Sequence, residues 1–242
     1  MIPVQESYFA LIGFGADGWG RALLIATGMT CAVAVAGFLL GSAIGSLIAW
    51  AKLSGSFVLR RIGTAYTTVL RGIPDLLVIY LFYFGGSAAL GTVAGFFGAD
   101  GFIGMPAFVT GVLAIGIVSG AYQAEVLRGA FLATPRGEIE AAKAVGMRNW
   151  TAFRRIIAPL VLRLALPGIG NTWQLVLKET ALISVTGLVE LLRQSQIAAG
   201  STRRPFEFYL TAILLYLAIT WISTLLFRRA EARTMLGVRR SI

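Results

Sequence analysis

Histidine is missing from this 242-residue chain, and cysteine occurs once, at Cys31 inside an apolar run. A single thiol excludes a disulfide within one chain, and the usual zinc ligands cannot be assembled, so no metal site is expected. The missing imidazole also removes the side chain most often used as a general base, which argues against an enzyme and leaves no catalytic residue to nominate. No Gly-x-x-x-x-Gly-Lys-Ser/Thr string occurs, so the loop that cradles nucleotide phosphates is absent and no cofactor is expected in this chain. Charge is sparse at 13% of residues, and acidic side chains are outnumbered 11 to 21. The resulting net charge of +10 does not signal nucleic acid, because the basic residues cluster between apolar runs instead of interleaving with exposed aromatics. A positive-inside bias accounts for them better.

Apolar length is what the chain has in abundance. Hydrophobic residues make up 57% and the mean hydropathy is +0.80, too apolar for a water-soluble domain and indicative of several spans in contact with membrane lipid. The expectation is an all-α, polytopic helical bundle of about five spans. Residues 1–20 carry Glu6 and Asp17 but no Lys or Arg; they lack the basic start of a cleaved signal peptide and are expected outside. Residues 22–50 form the first span, longer than the roughly 20 residues a helix needs to cross. Within it Gly37, Gly41 and Gly45 line one helical face with almost no side chain. Such a groove admits a helix of the same chain or of a partner subunit. Lys52, Arg60 and Arg61 mark the next loop as cytoplasmic,.

A second span is expected from about Tyr66 to Phe84, interrupted by Arg71-Gly-Ile-Pro-Asp75. Residues 85–104, glycine-rich with Asp100 and no basic residue, then read as an outer loop with room for a short helix, and residues 106–124 as the third span. Charges in a span are costly, so Arg71 and Asp75, with Glu125 and Arg128 at similar depth, are expected to gather near the inner mouth, as a gate or as a structural ion-pair network. The fourth span is expected over residues 167–192, with Lys178-Glu179-Thr180 near its middle. Residues 193–207 follow as an outer loop and residues 206–227 as the fifth span. Arg228, Arg229, Arg233, Arg239 and Arg240 place the C-terminus inside,.

A solute path through such a bundle needs polar groups near the midplane. Ser119 and Gln123 are one turn apart, Thr180 and Ser184 repeat that spacing, and Glu179 or Glu190 offers negative charge for a cationic solute,. The same groups equally suit hydrogen bonds between helices, and Glu190 a solvated helix end.

Between the third and fourth spans lies Glu140-Ala-Ala-Lys-Ala-Val-Gly146, followed by Ile156 and Pro159. Thr134 as N-cap and Pro135 in the first turn can start a helix that Gly146 ends in a left-handed conformation. A second helix is expected from Asn149 along the membrane surface, because Phe153, Ile156, Ile157, Leu160 and Leu164 recur at helical spacing,. An interfacial helix without a partner would also satisfy these residues.

This stretch resembles the coupling loop of ABC importer membrane subunits, in which Glu-Ala-Ala, three residues, Gly, nine residues, Ile, any residue and Leu-Pro recur; Ala158 stands at the leucine position. Arg71-Gly-Ile-Pro74 and Ala121-Tyr-Gln-Ala-Glu125 through Arg128-Gly129 resemble strings of the polar amino acid permeases. The segment from Gly168 to Glu190 is similar to the Q-type subunits of histidine, basic amino acid and opine importers. The resemblance implies a type I importer transmembrane domain spanning residues 1–242, N-terminus out and C-terminus in, in a bacterial inner membrane. It implies that a loop over about residues 134–165, with Glu140, Ala141, Ala142 and Gly146 at its heart, couples to a separate ATPase that binds ATP and Mg. It implies a second permease, a heterodimer being favoured, two ATPase copies, a periplasmic binding protein and an amino acid or opine as solute. A secondary transporter or channel subunit without ATP coupling is the competing reading.

Overall fold

The computed structural model describes residues 8–15, 18–97 and 104–234. Glu6, Asp17, Asp100, Arg239 and Arg240, on which parts of the orientation argument rest, lie outside the described residues. Every regular element among the described residues is helical. Among the described residues, four helices are long and apolar enough to cross a membrane: Gly20–Leu53, Asp75–Phe96, Ala107–Leu132 and Pro205–Thr234.

After a short turn of helix, α1 (Tyr8–Leu11), the 34-residue α2 (Gly20–Leu53) begins. At 1.5 Å per residue it is about 50 Å long, well beyond a hydrocarbon core of about 30 Å. Lys52 therefore sits in its last turn and not in a loop. The second expected span is redrawn. Helix α3 (Phe57–Gly72) opens at Ser56, whose hydroxyl accepts from the Leu59 amide, and stops before Pro74. Proline disfavours helical backbone in its predecessor, and Ile73 is extended at φ −99° and ψ 138°. The apolar crossing is instead α4 (Asp75–Tyr80), a wider turn at Leu81–Gly85, and α5 (Gly86–Phe96). Residues 86–96, expected in an outer loop with room for a short helix, are helical and continue the crossing, because nothing there after Pro74 interrupts the backbone ladder. Helix α6 (Ala107–Leu132) follows.

Helices α7 (Arg136–Ala144) and α8 (Asn149–Ala152) make the loop between spans. The second of these does not end as a separate surface helix. It passes through a π turn at Phe153–Ile157 into α9 (Ala158–Glu179), with Pro167 inside that helix. The expected fourth span is also not one helix: at Glu179 the backbone tightens into a 3-10 stretch, Thr180–Thr186, and turns at Gly187, φ 87°. Residues expected to form an outer loop are helix α10 (Leu191–Thr202), after which Arg203, at φ 56°, leads into α11 (Pro205–Thr234).

The chain divides into two compact units. One comprises Met1–Gly37, Leu76–Ile115 and Val176–Thr220, and the other Phe38–Asp75, Gly116–Leu175 and Trp221–Ile242. In the first, Leu11, Leu23, Leu191, Ala198, Ala199, Phe208 and Ala212 form the buried core, with Trp19, Leu215 and Tyr216 packed on it. In the second, α2 lies against α6 with backbones close: a Cβ at Gly45 would come 2.9 Å from Gln123 Cβ, and one at Gly41 would strike Ser119 Oγ. The glycine face therefore serves packing within this chain, as small residues do between membrane helices. Gly168 similarly admits Val126, and Gly170 admits Phe227.

Candidate functional site

The exposed corner between α6 and α9 is built from local chemistry. Helix α7 ends at Val145, and Gly146 takes φ +74°. Its amide donates to Lys143 O at 2.9 Å and the Met147 amide to Ala142 O at 3.1 Å. This pair is a Schellman closure, which satisfies carbonyls the helix end would leave open. Nothing lies within 4 Å of where a Gly146 Cβ would stand, so glycine is required there for its backbone and not for space. Glu140 and Ala141 are exposed, while Ala142 is buried. The helix start differs from expectation: Thr134 is buried and its hydroxyl donates to Ala130 O at 3.1 Å, leaving Pro135 at the cap. A hydroxyl one turn past the last residues of α6 finds a carbonyl there before it finds an amide of the next helix.

A second assembly lies within the same unit. Lys52, Thr67, Thr68, Arg71, Gly72, Tyr122, Glu125 and Arg128 line a hollow of about 520 Å³. Glu125 is its hub: Oε1 accepts from Lys52 Nζ, and Oε2 accepts from Arg128 Nε at 2.9 Å. Lys52 also donates to Thr67 Oγ1 at 2.8 Å. The Arg71 guanidinium lies over the Tyr122 ring, 5.4 Å from its centroid, a cation–π contact. Three of the four residues expected at an inner mouth are thus together. Asp75 opens α4 beside its positive end and takes no part in these ion pairs,. Lys52, read from sequence as a loop marker, is the member that reasoning missed; its place at the end of an overlong apolar helix was the available signal.

The residues expected to touch solute fall in two groups. In the second unit Gln123 is 1% exposed and spans two helices: Ser42 Oγ donates to its Oε1 at 2.7 Å, and its Nε2 donates to Phe38 O at 3.2 Å. Ser119, 1% exposed, points its hydroxyl at Gly116 O. Gln123 therefore holds α2 to α6, whereas the Ser119 bond stays within α6. In the first unit Glu179, Thr180 and Ser184 are buried, the Thr180 hydroxyl donating to Leu177 O at 2.7 Å. Glu190 is 0% exposed, neither a solvated end nor open to solute. It caps α10: its carboxylate accepts from the Leu192 amide at 2.9 Å, the Arg193 amide at 2.7 Å and the Tyr216 hydroxyl at 3.1 Å.

Four apolar helices of spanning length, with an exposed capped elbow after the third of them, define a polytopic membrane protein. Residues 19–235 match the family described as binding-protein-dependent transport system inner membrane component, and the chain belongs to it. It is 61% identical to the octopine transport system permease protein OccQ of Rhizobium meliloti over 97% of this chain and 99% of that one. It is 49% identical to the nopaline permease NocQ of Agrobacterium fabrum over 95% and 98%. With the histidine/lysine/arginine/ornithine permease HisQ of Salmonella typhimurium it shares 40% over 93% and 98%. Among solved structures, a crystal structure of an amino acid ABC transporter with histidines superposes with a TM-score of 0.75 at 32% identity, covering 89% of this chain and 95% of that one. The inward-facing MetNI methionine transporter has the same fold, TM-score 0.64 at 18% identity over 89% and 95%. The chain is therefore an ABC importer permease subunit, a multi-pass protein of the bacterial inner membrane, and ATP hydrolysis in such systems belongs to a separate ATPase. That family membership removes the secondary transporter and channel readings.

Proposed function

We infer that this subunit carries opines of the octopine and nopaline kind, or basic amino acids, into the cell by alternating access. The likeness to the octopine and nopaline permeases supports that solute class. It acts as one transmembrane domain beside a second, different permease, with two ATPase copies that bind ATP and Mg and a periplasmic binding protein that delivers solute.

The observation carrying the mechanism is the corner at Gly146. Helix α7 is exposed, closed at Gly146 by two backbone bonds, and followed by α8, whose helix runs on through α9 to Glu179. A push on α7 from an ATPase cleft is thereby delivered along a helical rod instead of being absorbed in a flexible loop. Glu140, Ala141 and Gly146 are the contact, within the coupling segment 134–165, and buried Ala142 seats the helix beneath them, its carbonyl taking the Met147 amide. Arg71, Glu125 and Arg128 act at the inner gate, with Asp75 beside them in sequence. Glu179 and Ser184 are the proposed solute contacts; Ser119, Gln123, Thr180 and Glu190, whose polar groups are buried and already bonded, support the helices that carry them.

Single cysteines at Glu138 and Lys143, on exposed α7, test the coupling contact in native membranes of the intact importer. A cross-link to the ATPase that changes in yield when ATP is added is expected. Absence of any ATPase adduct from either position refutes the contact.

A further inference from the structure

The hollow around Glu125 holds more positive charge than its carboxylate uses. Lys52, Arg71 and Arg128 face one acid, Glu125, and that acid is already engaged on both oxygens by Lys52 and Arg128. Lys52 is also spent on Thr67, and the Thr67 hydroxyl on the Thr64 carbonyl at 3.2 Å. Arg71 is exposed, and its contact is with the face of Tyr122, which leaves its N-H edges unused by a carboxylate among the described residues. Arg128 gives Nε to Glu125, and a guanidinium has five N-H donors, so its outer nitrogens remain for another acceptor. Thr68, one turn before Arg71 on α3, adds an exposed hydroxyl to the lining.

Two guanidinium edges and a hydroxyl around a polar hollow of about 520 Å³ fit a planar oxyanion of small-molecule size. Arginine recognises carboxylate with two parallel N-H bonds, a geometry lysine lacks. We propose that Arg71 and Arg128 form a carboxylate-receiving site for the transported solute, with Glu125 and Lys52 as the fixed pair that holds Arg128 in place. The proposal rests on the reading of the solute as an amino acid or opine. Such solutes carry at least one carboxylate whatever their side chain, so a site for that group suits the whole class. It also gives the cluster a role during passage: a carboxylate reaching the hollow lowers the mutual repulsion of the three cations, which coupling to ATP hydrolysis must then undo to release it.

Equilibrium binding to the purified permease and ATPase complex in nanodiscs, without binding protein, tests this. Three probes share a guanidinium and differ in carboxylates: octopine has two, arginine one and agmatine none. The unaltered complex is expected to bind them in that order. Arg71→Gln should weaken octopine about tenfold, the loss of a charge-assisted pair, leave agmatine unchanged, and be partly rescued by Arg71→Lys. Octopine binding that ignores Arg71→Gln, or equal weakening of all three probes, overturns the site while leaving the solute class standing. Binding of none of the three to the unaltered complex overturns both. Competition by millimolar inorganic phosphate as strong as by octopine, or octopine affinity that falls as anionic lipid is added and no longer falls in Arg71→Gln, would assign the hollow to free phosphate or to lipid headgroups and overturn the solute assignment.

Discussion

Replacing Gly146 tests whether the corner is a mechanical part. Its φ of +74° is in the left-handed region, where a residue with a Cβ is strained by about 1–2 kcal/mol and a β-branched one sits at the upper end. Because no atom beyond the glycine and its chain neighbours lies within 4 Å of an added Cβ, the whole cost is local backbone strain. Gly146→Val must either accept that strain or abandon the two closing bonds to Lys143 O and Ala142 O, each worth about 1 kcal/mol. Both routes cost about 2 kcal/mol, which lowers the population of the closed corner roughly thirtyfold. Gly146→Ala, at about 1 kcal/mol, lowers it roughly fivefold. Asparagine tolerates the conformation and serves as the control with a side chain. In proteoliposomes of the complete importer, solute taken up per ATP hydrolysed should rank glycine, asparagine, alanine, valine, while the amount of permease inserted stays level. Normal uptake per ATP with valine, or a loss with asparagine as large as with valine, refutes the lever argument.

Glu190→Ala strips the cap from α10, leaves two amides unsatisfied and takes one acceptor from the Tyr216 hydroxyl. Thermal unfolding in detergent should show a loss of about 2 kcal/mol, with Glu190→Gln losing less and the preference among cationic solutes unchanged in both. Gly41→Leu drives a side chain into Ser119 and parts α2 from α6; a destabilisation of about 1–3 kcal/mol should appear as faster proteolysis of the permease even when it is expressed without its partners. Lys52→Met leaves Glu125 with Arg128 alone. A double-mutant cycle with Glu125→Gln should return a coupling energy of about 1–3 kcal/mol, and a value near zero would show the pair to be idle.

How much was legible in the sequence follows from how far along the chain each cause acts. Apolar run length, the glycine spacing of α2, and the corner at Gly146 are settled by residues within a few turns of one another, so all three could be read directly. Helix continuity was harder: nothing in residues 149–179 taken alone says whether Pro167 begins a span or sits inside one. Inside the helix Pro167 removes a backbone bond, and the helix runs on through it to Glu179, as membrane helices do where neighbouring groups satisfy the freed carbonyl. Side chains with a choice of partners were the least legible. Thr134 could cap forward or bond backward, and Glu190 could meet solute or the amides just after it. Lys52 and Glu125 are 73 positions apart, and only the packing of α2 on α6, with glycine at the seam, puts an ammonium beside that carboxylate. Sequence by itself determined that this chain is a bundle of membrane helices with an exposed elbow, since water and hydrocarbon sort residues by local composition. Tertiary structure alone decided which polar groups hold the bundle and which still have donors to offer, because a hydrogen bond formed across helices is one no longer available to a solute.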